Sequence, residues 1–128
     1  AADGYTCFIS GFGEGVEQYF AEIVLEKKKE NPALELIAVI PYRKRLDSLN
    51  EKGRTYKMLE ACSEVVVVQE EYHPSVYYRR SRYMAERSDR VIAVYDGQKK
   101  GGTVRMIRFV HLLKKELREI PIGEINLP

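Results

Sequence analysis

The sequence predicts an α/β protein of three layers, α/β/α, built on a mostly parallel sheet of four to five strands. Three observations predict it. Apolar runs of strand length recur along the chain, segments of helical periodicity separate them, and two runs end in glycine clusters that lead into helices. Strands buried on both faces read as continuous apolar runs, and intervening helices supply the crossovers that parallel strands require.

The first strand is Tyr5 to Ser10 (YTCFIS), rich in β-branched and aromatic residues, and it runs into Gly11, Gly13 and Gly15. Val16, Tyr19, Phe20, Ile23 and Val24 then recur at helical spacing, which predicts a helix from Val16 to Lys29. Asn31-Pro32 stops it, because proline disfavours the helical state in the residue before it. Leu34 to Ile40 (LELIAVI) reads as a buried strand closed by Pro41, and a polar segment spans Tyr42 to Gly53. A short helix follows from about Arg54 to Cys62, then a third strand, Glu64 to Gln69 (EVVVVQ). After the loop Glu70 to Ser75, an arginine-rich helix covers Val76 to Arg87, and Arg90 to Tyr95 (RVIAVY) is the fourth strand. A loop containing Gly101-Gly102-Thr103 opens a last helix to about Glu119, and Ile120 to Leu127 is a weak edge-strand candidate, since Pro121 and Gly123 interrupt it.

A chain of 128 residues has room for one domain, taken as residues 1–128, and no repeat or low-complexity linker divides it. A net charge of +2 is too small to argue for nucleic acid. The distribution says more, because Arg79, Arg80, Arg82, Arg87 and Arg90 crowd one stretch while acidic residues gather elsewhere. Cys7 and Cys62 form neither a disulfide framework nor a metal-type pair, and they read as buried reduced thiols. Apolar runs such as Val65 to Val68 are far too short to cross a bilayer, and no signal peptide is visible. The expected compartment is the cytoplasm.

In open α/β sheets, ligands sit beyond the carboxyl ends of the strands. Ser10-Gly11-Phe12-Gly13-Glu14-Gly15-Val16-Glu17 stands at one such end, and Asp96 to Thr103 stands at another. Glycines let the backbone approach a ligand closely, and a helix N-terminus favours an anion. The first loop is GxGxG rather than the dinucleotide fingerprint GxGxxG, and it lacks the lysine of a P-loop. A tight strand-to-helix turn is the plain alternative for one such loop. Two of them at strand ends favour binding of a phosphate-bearing ligand.

Arg80 and Arg82, nearest the strand-end loop, are the candidates for bidentate phosphate contacts; Arg87 and Arg90 read as solvated charges. Tyr72, Tyr77, Tyr78 and Tyr83 interleave with these arginines and read mainly as packing residues. His73 and His111 have no ligand-spaced companions, so no metal is expected. Ser10-Gly11 is not a nucleophile elbow.

Taken together, GYTCFISGFGEGVEQYFAEIV, LELIAVIPY, EEYHPSVYYRRSRYMAERSDRVIAVYDG and the GGT turn resemble the YpsA-like branch of the SLOG superfamily. That superfamily also holds the LOG phosphoribohydrolases and the DprA proteins. The resemblance covers nearly the whole chain and implies a Rossmann-like fold with a nucleotide-derived ligand at the two glycine loops. The implied ligand is of the AMP, ADP-ribose or NAD type, and the implied partner is a second copy in a homodimer.

Two departures qualify the resemblance. LOG enzymes carry a glutamate three residues after the threonine of GGxGTxxE, where this chain has Met106. Glycosidic cleavage needs a carboxylate to support the cationic sugar and activate water, which methionine cannot do. Arg80 falls where those enzymes keep an arginine. Glu17 and Asp96 are the remaining carboxylates at the loops. Members of this branch also begin with a further strand and helix, so the chain reads as a shortened relative or a fragment. Its exposed sheet edge would favour self-association or a partner.

The leading expectation is a non-catalytic nucleotide-binding or sensing module using Ser10, Gly11, Gly13, Gly15, Glu17, Arg80, Arg82, Asp96, Gly101, Gly102 and Thr103. The alternatives are a nucleotide-processing enzyme related to the LOG phosphoribohydrolases and a DprA-like single-strand binder. Neither nucleic acid nor membrane is the expected partner.

Overall fold

The computed structural model describes residues 4–13, 15–95, 111–113 and 116–121. They fall into two compact units, Ala1–Tyr72 and His73–Pro128.

The first unit runs β1 (Cys7–Ser10), α1 (Val16–Glu30), β2 (Glu35–Tyr42), α2 (Arg43–Asn50), α3 (Gly53–Ala61) and β3 (Glu64–Gln69). Its three strands form a parallel sheet in the order β1-β2-β3, with Ile9 opposite Ile37 and Val39 opposite Val66. The central place of β2 follows from its composition. Leu36, Ala38, Val39 and Ile40 are all fully buried, as a strand paired on both edges allows.

Strand alternation puts Leu36, Ala38 and Ile40 on one face. There they join Ala21 and Val24 of α1, Leu49 of α2, and Met58 and Leu59 of α3 in one apolar cluster. Phe12, from the loop after β1, belongs to the same cluster. The loop is therefore tied into the core that carries it.

Helix α1 ends at Glu30, as Asn31-Pro32 requires, and the Asn31 side chain accepts the Ala33 N–H at 3.2 Å in a local turn. Glu17 in its first turn and Lys27, Lys28 and Lys29 in its last complement the helix dipole. The segment read as polar, Tyr42 to Gly53, contains α2, where the sequence pattern assigned no element. Its Leu46 and Leu49 pack at or against the core cluster, and that burial stabilises a helix with no side-chain cap.

The second unit holds α4 (Val76–Glu86), β4 (Arg90–Tyr95) and β5 (Glu116–Pro121). Strands β4 and β5 pair in parallel, in register from Arg90–Glu116 to Tyr95–Pro121. This corrects two expectations. The last helix does not reach Glu119, because helical residues end at 112 and a turn follows at 113. The last strand begins at Glu116 rather than Ile120. Leu113, Leu117 and Ile120 imitate a helical stripe, but a ladder along the whole of β4 prevails over that local spacing. Pro121 sits at the strand's last position, where its missing N–H is tolerated.

Among the described residues all strand pairings are parallel, within one three-stranded and one two-stranded sheet. No described helix is long and apolar enough to cross a membrane.

Candidate functional site

The loop from β1 to α1 is built around two residues of positive φ. Gly15 has φ 81° and ψ −112°, a conformation essentially reserved for glycine. Phe12, at φ 54°, is the only non-glycine residue of positive φ among those described. A left-handed non-glycine residue costs about 1–2 kcal/mol. Complete burial of the Phe12 ring offsets this, since burying such a side chain contributes about 1.5–3 kcal/mol.

Hydrogen bonds fix the same turn. The Ser10 hydroxyl donates to the Glu17 carbonyl at 3.0 Å and accepts the Phe12 N–H at 3.2 Å. Gln18 Nε2 donates to the Phe12 carbonyl at 3.2 Å. Gln18 Oε1 in turn accepts from Thr55 Oγ1 on α3 at 3.4 Å. Ser10 and Thr55 are buried, so these bonds are shielded from water.

The two other glycines serve different purposes. Gly11 is buried where β1 ends. Gly13 makes room, because a Cβ there would come within 2.6 Å of the Glu17 carboxylate oxygen Oε1. A carboxylate thus rests against the loop backbone at the start of α1. The first N–H groups of a helix have no intrahelical acceptors, so this helix start can meet an anion or place Glu17 against a ligand's hydroxyl groups.

The structure brings Ser10, Gly11, Gly13, Gly15 and Glu17 together in this one loop. Ser10 faces inward, with its hydroxyl engaged on the loop's own backbone. Arg80 and Arg82 lie on α4, in the second unit. The Arg80 guanidinium stands 5.2 Å from the Tyr77 ring centre, a cation–π distance. Arg82 Nε bonds Glu86 Oε1 at 2.7 Å on the exposed side of the helix, which raises the guanidinium pKa further. Arg87 stacks over Tyr83 at 3.6 Å. Asp96, Gly101, Gly102 and Thr103 lie outside the described residues, as does Met106.

Phe12, Gln18 and Thr55 were not legible as site-supporting residues. The one available signal was a phenylalanine between two glycines, where a large apolar side chain has nowhere to go but inward. The cysteines differ from the expected buried pair. Cys7 is exposed on β1, while burial pushes the Cys62 thiol up to about 11 against a small opposing effect of Lys28.

A three-stranded parallel sheet whose first strand passes through a pinned glycine turn into a helix defines an α/β protein. The family described as the YspA SLOG family (YpsA) matches residues 1–125, and the chain belongs to it. Among its relatives, an uncharacterised SPbeta prophage-derived protein of Bacillus subtilis, YoqJ, is 29% identical over 108 residues, covering 73% of this chain and 63% of that protein. A UPF0398 protein of Bacillus pumilus is 30% identical over 98 residues, covering 73% and 53%. Another, of Ligilactobacillus salivarius, is 28% identical over 105 residues, covering 79% and 57%. The chain spans between about half and two thirds of the length of these relatives.

Proposed function

We propose that the β1–α1 loop binds a nucleotide-derived ligand, of the AMP, ADP-ribose or NAD type, without turning it over. The observation that carries the reading is the loop itself. Its glycine-dependent turn stands at the carboxyl end of a parallel strand, fastened to the core through Phe12 and opening a fifteen-residue helix. Such a site offers backbone N–H groups and a helix dipole to an anion with little reorganisation. Arg80 and Arg82 are proposed as phosphate contacts. Gly101, Gly102, Thr103 and Asp96 are proposed as the second loop of a Rossmann-like α/β/α domain, which acts in the cytoplasm as a homodimer.

One observation favours a second reading, a nucleotide-processing enzyme. The Glu17 carboxylate rests against Gly13, and a carboxylate beside the loop supports a reading in which it takes the role that Met106 cannot fill.

Thermal unfolding against AMP, ADP-ribose and NAD, with each mixture assayed for free base, separates the two. Ligand at a hundredfold excess over its Kd adds about 2.7 kcal/mol, a clear rise in melting temperature. A rise without released base supports the binding module. Released base supports the enzyme, and a panel that gives neither a rise nor released base with any nucleotide contradicts both.

A further inference from the structure

We infer that Gln18 and Thr55 are positioning residues for the glycine loop, aiming the Gly13 N–H through their hold on the Phe12 carbonyl; the inference rests on the binding role proposed for that loop. Phe12 is the point at which the loop is most constrained. It is left-handed, fully buried, and bonded at both its polar backbone groups, N–H to Ser10 and C=O to Gln18.

The carbonyl of Phe12 and the N–H of Gly13 belong to one peptide plane. That plane is rigid, and no described peptide bond is cis, so the two groups point in opposite directions. Holding the carbonyl toward Gln18 therefore aims the Gly13 N–H away from Gln18. Gly13 is also the position against which the Glu17 carboxylate rests. The donor direction at the proposed site is thus set by a side chain that has no need to touch the ligand.

Gln18 suits this task because a primary amide both donates and accepts. Its Nε2 meets the Phe12 carbonyl, and its Oε1 accepts from Thr55. The Phe12 carbonyl, which only accepts, fixes which end of the amide faces the loop, and the nearly fully buried Thr55 hydroxyl holds the other end. It reaches the loop from α3, 37 residues further along the chain. The contact makes the geometry of a local turn depend on the packing of a distant helix. An apolar side chain at 18 would leave a partly buried carbonyl without its donor, and the peptide would be free to rotate.

The test uses Gln18→Met, which keeps length without hydrogen bonding, with Thr55→Val and its conservative partner Thr55→Ser. Each is titrated with ADP-ribose well below its melting temperature, and amide exchange at Phe12 is followed in the free chain. Loss of one such bond is expected to weaken ADP-ribose by up to about tenfold in Gln18→Met. Phe12 exchange should rise by a similar factor, because its N–H is bonded to Ser10 within the same turn, while exchange in β2 stays as in the wild type. Thr55→Val should shift both readouts the same way, and Thr55→Ser should restore them. If the wild type binds and the variants bind equally well, the positioning role is overturned while the loop remains the site. If the wild type binds no ADP-ribose but another nucleotide of the panel, that nucleotide becomes the probe. A wild type that binds none overturns the site reading and this inference with it. Should Gln18→Met fail to fold, the Thr55 pair decides: equal affinity in both overturns the proposal.

Discussion

Gly13 and Gly15 stand two residues apart in one loop, yet their side chains are absent for different reasons. Gly15 adopts a backbone conformation that L residues rarely reach, whereas Gly13 has no positive φ and only yields space to the end of a flexible glutamate. Gly15→Ala should therefore cost about 1–3 kcal/mol of stability. Gly13→Ala should cost less and displace the Glu17 carboxylate. Urea unfolding of the two variants checks the order, and equal losses would contradict it. Cys62 gives a second test at this scale. An ordinary thiol is roughly a quarter ionised at pH 8, but a thiol raised to about 11 is almost wholly protonated. Alkylation of Cys62 in the folded chain at pH 8 should run about a hundredfold slower than in the unfolded chain. The raised value also means that Cys62 favours the folded state below its unfolded pKa, an advantage lost as pH climbs through about 11.

At the scale of single elements, the sequence was most legible where pattern and packing agree. The strands β2 and β3 and the helix α1 emerged close to their limits, because continuous apolar runs and the Asn31-Pro32 stop leave little choice. Helix α2 stayed hidden. It follows Pro41-Tyr42 without a capping residue, and Arg43, Lys44 and Arg45 crowd the end of the helix that disfavours positive charge. Glu70, just after β3, answers that charge. Its carboxylate takes Arg43 Nη2 at 2.8 Å and Nε at 3.0 Å, and its backbone carbonyl accepts the Arg43 N–H at 3.2 Å. The side-chain bond to Arg43 holds the Glu70 carboxyl below its ordinary value. The pair's contribution is therefore present above the ordinary carboxylate range and is lost as pH falls below it. Melting temperatures of Glu70→Gln and wild type should differ modestly at pH 7, converge near pH 3, and differ less in high salt. A gap that widened on acidification would contradict the assignment.

For the whole molecule, the α/β class and the parallel sense of the strands were readable from alternation alone, and the family from motifs spread along residues 1–125. The start of the last strand at Glu116, ahead of the expected Ile120, was not, because its partner β4 is remote in sequence and Leu113, Leu117 and Ile120 locally mimic a helix. The candidate loop was legible to the same degree. Glycines mark the β1–α1 loop in any reading of the sequence. The side chains that hold it could not be found that way, since Gln18 and Thr55 become neighbours only when α1 and α3 pack together. Amide-resolved titration of the chain with AMP, ADP-ribose and NAD bears most directly on what that loop does. Saturable shifts at Gly11, Gly13, Gly15 and Glu17 with at least one of the three are expected. Saturable shifts that leave these four amides unmoved, or no shift with any of them, would contradict a nucleotide site at the end of β1.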